Sequence, residues 1–83
     1  MRVNVLYFAS IRESLGIGSE QIETDSLTID QLRNELINRG GAYAEVLAMS
    51  RVLKAALNQE MCLPTALLLE GCEVAFFPPV TGG

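Results

Sequence analysis

Residues 28–41 constrain the fold more than any other part of the chain. Thr28-Ile29-Asp30-Gln31 has the spacing of a capping box, in which the threonine hydroxyl accepts from the Gln31 amide and the glutamine side chain reaches back. Asp30 puts negative charge in the first turn, where the helix dipole favours it. Ile29, Leu32, Leu36 and Ile37 fall at i, i+3, i+7 and i+8 and make one apolar stripe. Glu35 and Arg39 stand at i and i+4 on the other side, a spacing that predicts an ion pair. Gly40-Gly41 is expected to end the helix by admitting a left-handed turn. Such a helix is marginal alone. Burying its four apolar side chains contributes roughly 6–12 kcal/mol before chain entropy is subtracted, so it must lie across a sheet.

Strand signals stand on both sides of it. Val3, Val5 and Tyr7 alternate with Asn4, Leu6 and Phe8. Asn4 is poorly suited to a core, so Val3, Val5 and Tyr7 are expected inside and Leu6 and Phe8 on the outer face. Ser10 is expected to cap a short helical turn over residues 11–15, closed by Gly16 and Gly18. Residues 20–24 read as a second strand with Ile22 inward, and residues 43–49 as a further short helix. Residues 52–57 alternate around Lys54, which directs Leu53, Ala55 and Leu57 inward. Asn58-Gln59-Glu60 is a polar turn, and Met61-Cys62 opens a short return strand stopped by Pro64. Residues 67–69 are apolar but too short to assign. After a turn at Glu70-Gly71, residues 73–77 form the last strand, ended by Pro78-Pro79. The result is an α+β domain over residues 1–77, with one main helix on one sheet face, followed by a tail over residues 78–83.

Composition narrows the chemistry. Eighty-three residues make one domain. Ten acidic residues against six scattered basic ones give a net charge of −4, so nucleic acid is not an expected partner. The chain has no histidine, which removes the commonest general base and every histidine-based metal site. The apolar run at residues 3–9 is interrupted by Asn4 and meets Arg12 and Glu13. It is too short for a membrane span and carries no signal-peptide pattern, which predicts a cytoplasmic protein with no membrane partner. Cys62 and Cys72 are ten apart and form no C-x-x-C, so no metal site is expected. They read as two buried thiols, with a disulfide or a sulfur-carrying thiol as the alternatives.

The tail, Pro78-Pro79-Val80-Thr81-Gly82-Gly83, carries the functional signal. Two prolines forbid continuation of the sheet and favour a stiff, extended exit. Six residues reach about 20 Å at roughly 3.3 Å each. Gly82 and Gly83 suit a slot too narrow for other residues and leave the last carbonyl without steric cover. If Val74 and Phe76 face the helix, Ala75 and Phe77 lie outward beside Leu6 and Phe8, an apolar cluster of the kind that marks a contact surface. Arg12 is a candidate to pair with acidic groups on a partner.

Phe8-Ala9, Arg12-Glu13, Asn58-Gln59 and the run from Glu73-Val74-Ala75-Phe76-Phe77 through Pro78-Pro79-Val80-Thr81-Gly82-Gly83 carry a resemblance that covers the whole chain. It resembles the small, sulfur-carrier subunits of molybdopterin synthase, which are ubiquitin-like β-grasp proteins. Thiamine-pathway carriers share the di-glycine but not usually Phe-Phe-Pro-Pro. Cys72 stands where the family typically has an acid, a departure that touches no functional residue. The resemblance implies a mixed sheet packed on one main helix, with no bound cofactor. It implies that an adenylyltransferase akin to ubiquitin-activating enzymes uses ATP to adenylate Gly83. A desulfurase or rhodanese system then supplies sulfur, leaving a thiocarboxylate. The tail would enter the large synthase subunit, in a heterotetramer of two small and two large subunits, and convert cyclic pyranopterin monophosphate (precursor Z) to the molybdopterin dithiolene. Gly83 would bear the sulfur and Gly82 would give it slimness and slack. Phe8, Phe77, Arg12, Pro78, Pro79, Val80 and Thr81 would contact partners. Two other readings stay open: sulfur carriage for thiamine, cysteine or tRNA thiolation, and a ubiquitin-like interaction module whose tail is never activated.

Overall fold

The computed structural model describes residues 1–79. The expectations for Val80, Thr81, Gly82 and Gly83 lie outside the described residues. Strands β1 (Arg2–Tyr7), β2 (Ser19–Glu23), β3 (Lys54–Leu57), β4 (Glu60–Met61) and β5 (Glu73–Phe77) form one sheet in the order β2-β1-β5-β3-β4. Helices α1 (Ala9–Leu15), α2 (Ile29–Ile37) and α3 (Gly41–Val46) lie between them in sequence.

The central pair, β1 with β5, is parallel, with Val5 opposite Val74 and Tyr7 opposite Phe76. Parallel neighbours need a long crossover, and the intervening chain with α2 supplies it. β2 and β3 flank this pair in antiparallel register, Val3 opposite Ile22 and Ala55 opposite Phe76. Alternation then sorts the side chains. Val3, Val5, Tyr7, Ile22, Val74 and Phe76 share one buried cluster with Ile29, Leu32 and Leu36 of α2. The fold is the expected α+β arrangement, with Asn4, Leu6 and Phe8 kept off the core side of β1.

Several local expectations are corrected. Phe8 is the N-cap of α1 and offers no side-chain cap, while Ser10 sits inside the helix. Gly16, at φ 77°, does close it in the left-handed region. Thr28 Oγ1 accepts from the Gln31 amide at 3.2 Å, but Gln31 Oε1 reaches the Leu27 amide at 2.8 Å rather than that of Thr28. α2 stops at Ile37 with Asn38 as its cap, before the glycines. Gly40, at φ 78°, makes the left-handed break from which α3 starts, two residues earlier than the pattern suggested.

Ending α2 at Ile37 takes Arg39 off the helix, so its spacing from Glu35 no longer brings the two together. Glu35 instead accepts from the hydroxyls of Thr24 and Ser26, and Arg39 Nη1 donates to Glu20 Oε1 on β2 at 2.8 Å. An exposed i,i+4 pair is worth only about 0.3–0.5 kcal/mol, too little to compete with these tertiary partners. Arg33, half-buried, donates to the carbonyls of Leu47 at 2.7 Å, Ala48 at 2.6 Å and Arg51 at 2.9 Å, and so holds the chain after α3 against α2.

Cys72 is buried, but Cys62 is only half-buried, because β4 ends at Met61 and leaves it at the sheet's margin. Both are free thiols. Desolvation pushes the Cys62 thiol above its ordinary range, away from the thiolate that sulfur chemistry needs. Among the described residues no helix is long and apolar enough to cross a membrane, and no three potential metal ligands come together.

Candidate functional site

The face of the sheet away from α2 is built by the same alternation that fills the core. Glu73–Phe77 turns Val74 and Phe76 inward, so Ala75 and Phe77 point outward. Register across the sheet lays out two rows on that face. Leu6, Ala75, Ala56 and Met61 stand opposite one another on β1, β5, β3 and β4. In the next row Lys54 stands opposite Phe77, and Phe8 follows on the other side. The Phe8 amide donates to the Phe76 carbonyl at 3.2 Å, which extends the ladder one residue past β1. Its ring meets that of Phe77 edge to face, centroids 6.4 Å apart.

Size differences shape this surface. Ala75 and Ala56 are only 7% and 8% exposed, a low floor between larger neighbours. Phe8 at 44% and Met61 at 63% stand above it. Exposed apolar groups gathered this way, rather than scattered singly, are the mark of a contact surface. The sequence-based placement of Phe8, Leu6, Ala75 and Phe77 on one outer face is what the structure shows.

Met61 and Lys54 were missed as members of this face. The signal for Met61 was present in the two-residue turn. Asn58 and Gln59 have φ of 50° and 70°, the left-handed pair of a tight hairpin. A two-residue loop fixes register, and register alone puts Met61 beside Ala56. Asn58 also reaches across to β5. Its amide donates to the Glu73 carbonyl at 2.8 Å, and its Oδ1 accepts from the Glu73 amide at 2.9 Å. The turn is thereby latched to the first residue of β5. That explains why an asparagine stands here, beyond its tolerance of positive φ.

Arg12 lies exposed on α1, one turn after Phe8, and its amide donates to the Phe8 carbonyl at 3.4 Å. Its side chain rests over Gly18, where an added Cβ would come within 3.2 Å of Nε. It has no ion-pair partner among the described residues. Pro78 and Pro79 follow β5 directly and are half-buried, so the chain leaves the sheet from the edge of the Phe8–Phe77 contact.

A polar cluster on the helix side holds β2 in place. Glu20 accepts from Tyr7 Oη at 2.8 Å and Tyr43 Oη at 2.7 Å, besides Arg39. Burial would raise the Glu20 carboxyl, but the hydrogen bonds from Arg39, Tyr43 and Tyr7 outweigh it and hold it below the usual range. Burial and the same carboxylate push the Tyr7 hydroxyl far up, so it stays a donor. These groups bond to one another and tie β2 to β1, α3 and the turn after α2.

Comparison with known proteins agrees with this geometry. Residues 5–83 match the family model described as ThiS family. The molybdopterin synthase sulfur carrier subunit of Haemophilus influenzae is 40% identical, over 98% of this chain and 99% of its own. In a solved complex of subunits 1 and 2 of molybdopterin-converting factor from Helicobacter pylori, one chain matches at 27% identity with a TM-score of 0.69, covering all of both chains. SAMP1 from Haloferax volcanii, at 21% identity, shares the fold with a TM-score of 0.79 over the full length of both. With a matching family model over nearly its whole length and this strand order, the chain belongs to the ThiS family and has the ubiquitin-like β-grasp fold.

Proposed function

We propose that the chain is a sulfur-carrier subunit of molybdopterin synthase, and that its working group is the carboxyl of Gly83. The observation that carries this reading is one continuous path: an apolar face ending in the Phe8–Phe77 pair leads straight into Pro78-Pro79 and the di-glycine segment. The face holds a partner, and Pro78 and Pro79 keep the strand from continuing.

The chemistry follows from the carboxyl's weakness as an electrophile. A terminal carboxyl, with a pKa of about 3.3–3.7, is ionised at neutral pH and resists nucleophiles. An activating enzyme therefore joins one carboxylate oxygen to the α-phosphorus of ATP, releasing pyrophosphate. The outer sulfur of a persulfide on a desulfurase or rhodanese then attacks the acyl carbon, AMP leaves, and a second thiol of that system cleaves the acyl disulfide by forming a disulfide with the enzyme's own sulfur. The product is a thiocarboxylate on Gly83. The large subunit of the synthase receives the tail, and sulfur passes to cyclic pyranopterin monophosphate (precursor Z). Water returns the glycine to a carboxylate. Two carriers flank a dimer of large subunits, and the cycle runs in the cytoplasm. The chain supplies a reactive end, and its partners supply the acid, the base and the nucleotide site.

Mass spectrometry tests this directly. Incubation with activating enzyme, ATP and a sulfur source should add one oxygen-to-sulfur exchange, placed on Gly83 by fragmentation. Deleting Gly83 should abolish both the exchange and molybdopterin formation while leaving the fold unchanged. Molybdopterin synthesis by the truncated chain, or sulfur found on Cys62 or Cys72, would refute the reading. Loading on Gly83 without transfer to the pyranopterin would move the carrier to another thiolation pathway.

A further inference from the structure

The basic side chains divide into two sets by position. Arg2 pairs with Glu23, Arg39 pairs with Glu20, and Arg33 binds the carbonyls after α3. Arg12, Arg51 and Lys54 are exposed, and none has a side-chain hydrogen bond or ion pair among the described residues. All three border one end of the sheet. Lys54 stands opposite Phe77, and Arg12 follows Phe8 by one turn of α1. Arg51 shares a cleft between α1 and α3 with Pro78. Most carboxylates lie at the other end. Glu23, Asp25 and Glu35 gather round Met1, Glu70 accepts from the Arg2 amide, and Glu73 opens β5. Glu13 and Glu45 share the Phe8–Phe77 end with the cations. The chain is therefore polarised, even though its net charge is −4.

We propose that Arg51 and Lys54, together with Arg12, form a cationic rim that seats the Phe8–Phe77 end on a protein whose own apolar patch is bordered by carboxylates. The inference deepens the sulfur-carrier reading, and rests on it only for the identity of that protein. The exposed phenylalanine calls for an apolar counterpart. Cations beside it call for anions, and water excluded by the apolar contact strengthens each pairing. Arg51 and Arg12 can each grip a carboxylate through two parallel N–H groups, whereas Lys54 acts as a point charge. An extended polyanion fits less well. Nucleic acid or an anionic membrane needs a broad positive surface, and here Glu13 and Glu45 interrupt it while the rest of the chain repels. A compact set of carboxylates meets the rim without meeting the acidic end. The same polarity turns the Phe8–Phe77 end toward such a partner before contact.

Amide chemical shifts of the full chain provide the test, with a short capped peptide alternating glutamate and leucine as the probe and its glutamine counterpart as the control. Only the glutamate peptide should shift Arg51, Lys54 and Phe77. Those shifts should shrink in 0.5 M salt, where the screening length falls to about 4 Å. A double variant, Arg51→Gln with Lys54→Gln, should lose them and keep its melting by circular dichroism, because neither side chain bonds within the fold. Asp25→Asn, which makes the net charge less negative at the far end, should keep them. Equal responses to the two peptides, shifts that survive the double substitution, or equally strong binding to phosphatidylserine vesicles would overturn the proposal. Stopped-flow association with the large synthase subunit separates the two ideas. The double variant should associate about tenfold more slowly at low salt, with a smaller change in dissociation. A chain that binds the glutamate peptide through the rim but never binds the large subunit removes that partner and keeps the rim. Binding of the large subunit at a rate indifferent to the double substitution keeps the carrier reading and removes the rim.

Discussion

Phe77 is a side chain whose proposed role lies in association rather than in folding. Its ring lies on the outer face against Phe8, while its neighbour Phe76 is sealed in the core. Phe77→Ala should leave thermal stability nearly unchanged. If the proposed carrier function holds, it should weaken binding to a large synthase subunit about tenfold or more by calorimetric titration, each decade being about 1.4 kcal/mol. An unchanged affinity would remove this face from the interface. Asn58 is the opposite case, a surface residue that matters for folding. Asn58→Ala puts a Cβ residue without a local hydrogen bond at φ 50° and leaves the Glu73 amide without its acceptor. Urea denaturation should show a loss of about 1–3 kcal/mol. Asn58→Gly, which relieves the backbone but not the lost acceptor, should fall between that variant and the unmodified chain.

At the scale of elements, β5 is the member with two faces. It pairs with β1 on one side and β3 on the other, turns Val74 and Phe76 to the core, and presents Ala75 and Phe77 outward. The outer apolar face is therefore no more rigid than the central strand that carries it. β2 depends instead on Glu20, whose carboxylate gathers donors from β1, α3 and the turn after α2. Because its folded pKa is depressed, this carboxylate stabilises the fold fully above its unfolded value of about 4.3. The contribution is lost as pH falls through the lower folded value. Melting temperatures measured from pH 2 to 7 should therefore separate the parent from Glu20→Gln at neutral pH. The two curves should converge in acid, where a protonated Glu20 resembles glutamine. Parallel curves down to pH 2 would show that Glu20 carries none of the acid sensitivity.

The whole molecule has little stability to spare. At roughly 0.05–0.15 kcal/mol per residue, a domain of this size holds about 4–12 kcal/mol. Phe76 is among the largest fully buried side chains, packed where sheet and helices meet. Phe76→Ala should remove roughly 3–5 kcal/mol, enough to leave a large unfolded fraction at 37 °C by circular dichroism. Because the same strand carries Phe77, that variant should also lose partner binding, in contrast to Phe77→Ala, which keeps its fold. A Phe76→Ala protein with unaltered melting and binding would mean that core and docking face are independent.

Much of this was legible in the sequence because it is periodic. Period 2 in β1 and β5 sorted Val3, Val5, Val74 and Phe76 from Leu6, Phe8, Ala75 and Phe77. The stripe on α2 and the Thr28 cap marked the helix that covers the sheet. Proline marked the end of β5, since it can neither donate to the ladder nor extend it. These are properties of a residue and its near neighbours along the chain. What only the tertiary structure decided concerns groups brought together from distant positions. Arg39 joined Glu20 rather than Glu35, Arg33 bound the carbonyls after α3, Asn58 latched β5, and Met61 and Lys54 completed the outer face. Local spacing could not rank those pairings, because a hydrogen bond or ion pair forms with whichever partner the packed backbone brings within about 3 Å.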